Sequence, residues 1–280
     1  MHKAKLHNES FPVGMLISPK LKPLVNTYYQ AARFTDDIAD NPRTTSDEKL
    51  QQLAKIRQAF LQPDSGTDLI IIRGLGRLFV AEQLDASLFL DLITAFERDA
   101  VNQPIRIWEE LIDYCRYSAA PVGRFMLAIH NESPSSYLPA ENLCIILQLL
   151  NHLEGLKQDL SKLNRCYIPE DMLRQSDVRK TDLGLDITLP QVKKLLCGIM
   201  QKISKMQTDT KILPALIKNF RLRFEVCVIL SLTNFVVQRT IKTDVLQNPP
   251  YPRRIDWIRA LFKGLWQAVF CKYIRQGQIL

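Results

Sequence analysis

The sequence predicts an all-α protein with a single domain. Only ten of its 280 residues are Gly, and the alternating patterns that mark strands and tight turns are scarce. Apolar residues instead recur at three- and four-residue spacing, the period of an amphipathic helix. Hydrophobic residues make up 46% of the chain, enough for a substantial core at this length. We therefore expect residues 1–18 to form an irregular N-terminal arm and residues 19–280 to form one helical domain.

The first two helices are marked by proline and by a capping pattern. Pro23 suits the first turn of a helix, where a missing backbone donor does no harm, and Asn41-Pro42 ends that helix. Thr45 and Glu48 then form a capping-box pattern at the start of a second amphipathic helix, which reaches Leu61.

The rest of the chain continues the helical pattern, with breaks at proline. Further helices are predicted at about 67–81, 85–99, 108–129, 141–160, 190–208, 214–240 and 255–275. Pro121 lies inside the third of these and is expected to kink it, because proline removes a backbone donor. Residues 164–189 are predicted to be loops with short helical pieces, and residues 248–252 an extended link.

Charge, cysteine usage and the last helix limit the cellular context. The net charge of +8 favours an anionic partner, but no nucleic-acid motif is visible, so nucleic acid is not expected. Six scattered cysteines without a CxxC pair indicate reduced thiols in the cytoplasm. No apolar run suits a secretory signal or a spanning helix. The last helix mixes aromatic residues with Arg and Lys, so it lies on a membrane surface, closes the bundle, or does both.

The clearest chemical pattern is YYQAARFTDDIAD at residues 28–40. One face of a helix there would carry a tyrosine, an arginine and two carboxylates, namely Tyr29, Arg33, Asp36 or Asp37, and Asp40. The tyrosine and alanine neighbours imply a largely buried face, where carboxylates repel one another unless cations neutralise them. Carboxylate oxygens suit Mg²⁺, which commonly joins them to substrate phosphates. The alternative is a solvated acidic face that merely ends the helix.

A second polar pattern lies on the helix predicted at 141–160. Gln148, Asn151, Gly155 and Asp159 form one stripe at three- and four-residue spacing on an otherwise apolar helix. An unsatisfied buried amide costs ~1–3 kcal/mol, so Asn151 needs either a neighbouring helix or a metal ion as its partner. A helix that passes from buried to exposed along its length would give the same pattern, and both interpretations stay open.

Four segments together resemble the squalene/phytoene synthase family of head-to-head prenyl synthases. They are NESFPVGMLISP, YYQAARFTDDIADNP, YCRYSAAPVGRFML and NHL…QD…NRCYIPEDML, and the resemblance runs from about residue 8 to residue 264. The arm and the NRCYIPEDML segment point to the branch of the family that makes hydroxysqualene. The resemblance implies an isoprenoid-synthase fold, in which helices form a bundle around a central cavity.

The resemblance also implies roles for individual residues. The implied metal ligands, which hold Mg²⁺ against the substrate diphosphate, are Asp36, Asp37, Asp40, Asn151 and Asp159. The implied diphosphate-binding residues are Arg33, Arg165 and Tyr167, and the implied catalytic residues are Tyr29, Tyr114 and Asp99. One position departs from the family pattern, because Gly155 stands where an aspartate is usual. Glu154 lies about 100° away around the helix axis and does not simply replace that aspartate.

In the hydroxysqualene branch the substrate is presqualene diphosphate. Mg²⁺ and Arg33 would neutralise the departing diphosphate, and water would capture the rearranged cation, giving hydroxysqualene for hopanoid or squalene biosynthesis. One alternative is condensation of two farnesyl diphosphates to presqualene diphosphate or squalene. Another, favoured by Gly155, is a non-catalytic relative that serves as an assembly or lipid-binding partner.

The resemblance extends to partners and location. The expected partners are a prenyl diphosphate and a companion presqualene diphosphate synthase. The expected location is the cytoplasm, with peripheral contact at the inner face of the cytoplasmic membrane.

Overall fold

The computed structural model describes Gly14 and residues 16–274, and for 271–274 it gives the backbone alone. Within this part the chain is helical and contains no strand. The helices are α1 (Lys22–Ala39), α2 (Ser46–Leu61), α3 (Ile70–Ala81), α4 (Ser87–Ala100), α5 (Trp108–Ser118), α6 (Ala120–Ile129), α7 (Tyr137–Leu163), α8 (Glu170–Gln175), α9 (Pro190–Thr210), α10 (Leu213–Leu216), α11 (Phe220–Thr240) and α12 (Arg254–Ile274). The predicted all-α, single-domain bundle is confirmed.

Local sequence signals account for the first two helices. Pro23 lies in the first turn of α1, and Asp40 forms its C-terminal cap directly before Asn41-Pro42. The hydroxyl of Thr45 accepts a hydrogen bond from the backbone N–H of Glu48, whose carboxylate accepts one from the backbone N–H of Thr45. These reciprocal bonds satisfy donors that a helix leaves unpaired at its start. The predicted boundaries of α1 and start of α2 are therefore confirmed.

The helix predicted at 108–129 is two helices that meet at Ala119. The backbone of Ala119 has φ −125° and ψ −41°, outside the range of a regular helix, and Pro121 lies in the first turn of α6. Proline in that position starts a new helix instead of kinking a continuous one. The predicted interruption is confirmed, but it lies two residues before the proline.

The helix predicted at 214–240 is also divided, because Asn219 caps a new helix. Its side chain accepts a hydrogen bond from the backbone N–H of Leu222 and so starts α11. The buried carboxylate of Glu132 accepts hydrogen bonds from the backbone N–H groups of Lys218 and Asn219, each at 2.7 Å. These bonds hold the break between α10 and α11 in place.

An aromatic core lies between α1, α3, α4 and α6. The ring of Tyr28 stacks on that of Phe125 with centroids 3.9 Å apart, and contacts Phe79 and Phe89 at 6.3 and 6.2 Å. The hydroxyl of Tyr28 donates to the carbonyl oxygen of Leu88 at 2.7 Å. The side of α1 that carries Tyr28 is therefore packed into the core, while the helix α7 packs against α5, α6 and α9.

Both ends of the described chain are attached to α11. The backbone N–H groups of Gly14 and Leu16 donate to the buried carboxylate of Glu225. At the other end, α12 packs so closely on α11 that a Cβ at Gly264 would lie 2.7 Å from Cγ2 of Val228. Most of the predicted arm, residues 1–13 and Met15, lies outside the described residues, so the arm and its boundary stay predictions.

Candidate functional site

Two half-buried stripes, one on α1 and one on α7, hold five of the eleven residues predicted for the site. The stripe on α1 consists of Tyr29, Ala32, Asp36 and Asp40. The stripe on α7 consists of Gln148, Asn151, Gly155 and Asp159. The acidic face of α1 was expected to be largely buried, and only 25% of the Asp36 side chain is exposed. This face lies next to the side of α1 that packs Tyr28 into the core.

The carboxylate of Asp36 lies in surroundings that are already negative. It accepts a hydrogen bond from Arg33 at 2.9 Å, one turn earlier, and the Arg33 side chain is 46% exposed. Burial raises the pKa of Asp36 to about 7, with Asp40 adding to the rise and Arg33 opposing it. Near neutral pH this acid is only about half ionised. A cation bound beside it would shift it towards the ionised form.

The three aspartates of the first motif do not lie on one side. Asp37 is exposed, whereas Asp36 and Asp40 are half-buried. Residues four apart share a helix face, while a direct neighbour lies about 100° around the axis. Of the two arrangements that the sequence left open, the structure therefore favours Asp36 with Asp40, because these two are half-buried while Asp37 is exposed.

Arg165 joins the end of the first motif to α4. Asn164, with a left-handed backbone at φ 49°, ends α7 and turns the chain, and its carbonyl oxygen accepts a bond from Asn102 at 3.0 Å. Nη1 of Arg165 donates to Oδ1 of Asp40 at 2.8 Å, and Nη2 donates to the backbone oxygen of Asp99 at 3.1 Å. Nε lies 3.6 Å from Oδ1 of Asp99. One buried guanidinium thus faces two carboxylates.

Asp99 is the centre of a buried hydrogen-bond network. Its Oδ2 accepts from the hydroxyl of Tyr114 at 2.7 Å and its Oδ1 from that of Tyr167 at 2.9 Å. Burial raises the pKa of Asp99 to about 6, while Arg165 and the two tyrosines oppose the rise. Burial also raises the pKa of both tyrosines well above the usual value, so both keep their protons. We call Asp40, Asp99, Tyr114, Arg165 and Tyr167 the Arg165 cluster.

His152 lies behind this cluster as a neutral side chain. Its ring stacks on that of Tyr167 with centroids 3.7 Å apart, and its Nε2 lies 3.4 Å from Nε2 of Gln148. Burial lowers the pKa of His152 to about 3, and Arg165 lowers it further. At physiological pH the imidazole is therefore uncharged and cannot donate a proton as an acid.

Lys49, on α2, is a cation of this site that the sequence did not reveal. Burial and the nearby Arg165 lower the pKa of Lys49, while Asp40 and Asp99 raise it, so the ammonium group lies within electrostatic range of the cluster. No local pattern marks this lysine, because its position follows from the packing of α2 against α1 and α4.

Gly155 leaves room for the carboxylate of Asp159. A Cβ at Gly155 would lie 3.3 Å from Oδ2 of Asp159, so this carboxylate lies over the glycine. Burial raises the pKa of Asp159 to about 6, with Asp40 and Asp99 adding to the rise and Arg165 opposing it. Although Asp159 is on α7, it is therefore within electrostatic range of carboxylates from α4 and the end of α1.

A small polar cavity of about 140 Å³ opens beside the Arg165 cluster. Its lining combines four residues of the cluster, Asp99, Tyr114, Arg165 and Tyr167, with charged and amide side chains from α4, α5 and the loop between them, including Arg98, Gln103 and Asp113. This volume holds a few water molecules at ~30 Å³ each. It is a solvent chamber next to the site, too small for a prenyl chain.

The donor atoms on the two stripes fit Mg²⁺. Asp36, Asp40 and Asp159 offer carboxylate oxygens and Asn151 an amide oxygen, which are ligands that Mg²⁺ accepts. Among the described side chains, no three or more His, Cys, Asp or Glu residues are arranged around one ion position, and Arg165 is bonded to Asp40. Burial is the main cause of the raised pKa values of Asp36 and Asp159, and neighbouring carboxylates add to the rise. A bound divalent cation would favour the ionised form of both acids.

The fold and the site define the class of protein. A helical bundle with oxygen-rich stripes on two helices, and with arginine beside them, is the arrangement expected of a prenyl synthase. The chain is similar to the crystal structure of squalene synthase HpnC from Alicyclobacillus acidocaldarius, with a TM-score of 0.71 and 23% identity, covering 85% of this chain and 88% of that one. It is also similar to a dehydrosqualene synthase, with a TM-score of 0.70 and 17% identity, covering 93% and 89%. These likenesses show the fold.

Sequence comparison gives the family. Residues 4–234 match the squalene/phytoene synthase family. The hydroxysqualene synthase of Rhodopseudomonas palustris is 32% identical over 282 residues, covering 100% of this chain and 96% of that protein. The hydroxysqualene synthase of Sinorhizobium fredii is 36% identical over 250 residues, covering 88% and 83%. The chain belongs to the squalene/phytoene synthase family and is an enzyme of that type, so the resemblance found in the sequence is confirmed.

Proposed function

We propose that this enzyme uses Mg²⁺ to convert presqualene diphosphate and water into hydroxysqualene and diphosphate, in hopanoid or squalene biosynthesis. Two relatives named hydroxysqualene synthase, at 32% and 36% identity, support this reaction. The observation that carries the proposal is the Arg165 cluster beside acids with raised pKa values. Cations and surplus carboxylates in one place are what a departing diphosphate and its metal ion require.

Asp36, Asp40, Asn151 and Asp159 are the proposed ligands of the metal ion. Bound Mg²⁺ would neutralise charge on the departing diphosphate and so lower the barrier to breaking the carbon–oxygen bond. The family resemblance had placed Asp37 in this set, but its side chain is exposed and lies about 100° around the helix from Asp36, which argues against it. The proposed set therefore has three carboxylates and one amide.

Arg33 and Arg165 are proposed to bind the diphosphate directly, with Lys49 adding positive charge nearby. Arg165 would exchange its bond to Asp40 for a bond to a diphosphate oxygen, which would release that carboxylate for the metal ion. A guanidinium suits this exchange, because its planar fork binds carboxylate and phosphate oxygens in the same geometry.

The three tyrosines predicted for the site have different proposed roles. Tyr114 and Tyr167 act through Asp99, which they hold in the orientation that faces Arg165. Tyr29 lies on the same half-buried stripe as Asp36, and we propose that it contacts the reacting end of the substrate. Capture of the carbocation forms one bond to a water oxygen, and the proton released passes to surrounding water.

We also propose a companion synthase and a location. Presqualene diphosphate must be made by another reaction, the condensation of two prenyl diphosphates, so an enzyme of that kind would supply the substrate. Substrate and product are both very apolar, which favours a cytoplasmic protein at the inner face of the cytoplasmic membrane. No helix among residues 16–274 is long and apolar enough to cross a membrane.

Incubation of the pure protein with Mg²⁺ and each substrate separately tests the reaction. Presqualene diphosphate should give hydroxysqualene whose hydroxyl oxygen comes from isotopically labelled water, detected by mass spectrometry. Product from farnesyl diphosphate alone would show the condensation activity instead. If no prenyl diphosphate releases diphosphate with Mg²⁺, the enzyme assignment to this substrate class fails.

A further inference from the structure

The helix α12 has two sides of opposite character. Its narrow buried side consists of Asp256, Ala260, Gly264 and Ala268, one residue per turn, and packs against α11. Asp256 is bonded to Arg239, at 2.5 Å, so the buried acid is neutralised within the protein. The absence of a Cβ at Gly264 allows the two helices to approach closely. The half-buried Trp257 beside this side also packs against the core.

The opposite side of α12 is apolar and exposed. It carries seven large apolar residues that are each at least 46% exposed, namely Ile255, Ile258, Leu261, Phe262, Leu265, Trp266 and Val269. At 100° per residue they fall within an arc of about 140°, centred opposite the buried side. Phe262 is 76% and Trp266 is 56% exposed. A contiguous apolar surface of this kind usually marks an interaction site. We call it the α12 face.

Cations border the α12 face. Arg254 lies at one edge of the apolar arc, and Arg259 and Lys263 lie at the other; all three are exposed. The one acid in the described part of this helix, Asp256, is on the buried side. An apolar strip between flanking Arg and Lys residues is the pattern of a helix that lies in the headgroup region of an anionic bilayer.

Resting on the membrane location proposed above, we infer that the α12 face is the surface that binds the membrane and that it requires anionic lipid. Charge complementarity favours an anionic membrane over a second copy of the chain as the partner of the α12 face. A two-fold contact through the same face would bring the Arg254, Arg259 and Lys263 groups of both copies together without acids between them. A layer of anionic headgroups meets the same cations with opposite charge.

Vesicle sedimentation with the full chain tests the inference without any substrate. The protein should sediment with vesicles of phosphatidylglycerol and phosphatidylcholine in equimolar mixture, and bind vesicles of phosphatidylcholine alone much more weakly. Raising the salt concentration should weaken binding to the mixed vesicles, because the headgroup attraction is screened.

Two variants separate the apolar and the charged contributions. Phe262→Ser with Trp266→Ser should weaken binding to mixed vesicles at least about tenfold, since both side chains are exposed and bury apolar surface only in the membrane. Arg254→Gln with Arg259→Gln should weaken it by about fivefold for each charge removed. The matched control is Ile70→Ser with Val80→Ser, which removes two exposed apolar residues from α3. This control should bind vesicles like the parent protein.

Any of three results would overturn the inference. The first is that the parent protein does not sediment with either kind of vesicle, and the second is that the Phe262/Trp266 variant binds vesicles as well as the parent does. The third is that the parent is a dimer which the same variant converts to a monomer, with no change in vesicle binding. Activity on detergent-dispersed presqualene diphosphate is measured in parallel, so a failure of the proposed reaction would appear there and leave the binding result intact.

Discussion

The Arg165 cluster and the neighbouring acids Asp36 and Asp159 are both rich in carboxylates, yet these carboxylates differ in their hydrogen-bond partners. In the cluster, Asp99 accepts two tyrosine hydroxyl bonds and faces Arg165, which also binds Asp40. Asp36 is paired with Arg33, whose side chain is 46% exposed, and Asp159 is half-buried. Burial raises the pKa of Asp36 to about 7 and those of Asp159 and Asp99 to about 6, so the two regions differ in their hydrogen-bond partners and not in the direction of the pKa shift.

The difference distinguishes the Arg165 cluster, whose side chains are held by one another, from Asp36 and Asp159, which we propose bind a metal ion. A partly buried carboxylate without sufficient positive charge destabilises the folded state, so it persists where binding a cation compensates for it. In the cluster, hydrogen bonds to Asp40 and to the backbone of Asp99 hold Arg165 in place before a ligand binds. Substitutions in the two regions should therefore have different signatures, one in stability and the other in metal dependence.

Arg165→Ala is expected to have the largest effect, because it removes the partner of Asp40 and Asp99 at once. Leaving one side of a buried ion pair uncompensated costs about 3 kcal/mol, and urea unfolding followed by circular dichroism measures it. Arg165→Lys keeps the charge but loses the forked bonds, so its stability should lie between the two. A parent-like free energy of unfolding for Arg165→Ala would contradict this role of Arg165.

Asp36→Asn should lower product formation about 100-fold but should not destabilise the protein when Mg²⁺ is absent. The pKa of Asp36 is raised from 3.8 to about 7 on folding. Between those pH values the folded state binds more protons than the unfolded state, so stability falls as the pH rises through that window. Asparagine removes this contribution, and urea unfolding at several pH values without Mg²⁺ would show a flatter dependence.

Asp37→Asn is the matched control for that experiment. It makes the same change of charge one residue away, on the exposed side of α1. We expect it to keep most of the activity. Equal losses in the two variants would mean that Asp37 also binds the metal ion.

Gly155→Asp should add a negative charge beside the carboxylate of Asp159. The new carboxylate would lie one turn from that of Asp159, since a Cβ at this position is 3.3 Å from Oδ2. Without Mg²⁺, a like-charge pair at this spacing should make the variant about 0.5 kcal/mol less stable than Gly155→Ala, which adds the Cβ alone. Isothermal titration calorimetry should show Mg²⁺ binding severalfold more tightly to the aspartate variant. Weaker binding would place Asp159 outside the metal site.

His152→Phe should have the smallest effect at neutral pH, because phenylalanine keeps the stacking on Tyr167 and loses only the 3.4 Å contact with Gln148. Folding lowers the pKa of His152 from 6.5 to about 3. The unfolded state therefore binds more protons in that window, and the parent loses stability as the pH falls through it. At mildly acidic pH the variant should retain about 1 kcal/mol more of its neutral-pH stability. An identical pH dependence would mean that the imidazole is charged in the folded protein.

Sequence patterns among neighbouring residues predicted the helix boundaries that neighbouring residues determine. The proline and capping signals at Pro23, Thr45 and Glu48 gave the starts of α1 and α2, because a helix terminus is satisfied by residues within one turn of it. The stripe from Gln148 to Asp159 followed from helical spacing in the same way. Periodicity could not decide between Asp36 and Asp37, since that choice depends on which side of α1 packs into the core.

Contacts between distant parts of the chain were beyond such rules. Arg165 and Asp40 are 125 residues apart, and Tyr167 and Asp99 are 68 apart. Family resemblance singled these residues out, but it did not say that they contact one another. Lys49 had neither a local pattern nor a motif. The break before Asn219 was missed because it depends on Glu132, which is 87 residues away in sequence.

The bond between Glu225 and the chain's beginning bears on the timing of folding during synthesis. Gly14 precedes Glu225 by 211 residues. At the usual pace of translation, Gly14 leaves the ribosome roughly 10–40 s before Glu225 has been made. Until then the start of the chain has no docking site, so its attachment to α11 must be one of the last steps by which the newborn protein reaches its native state.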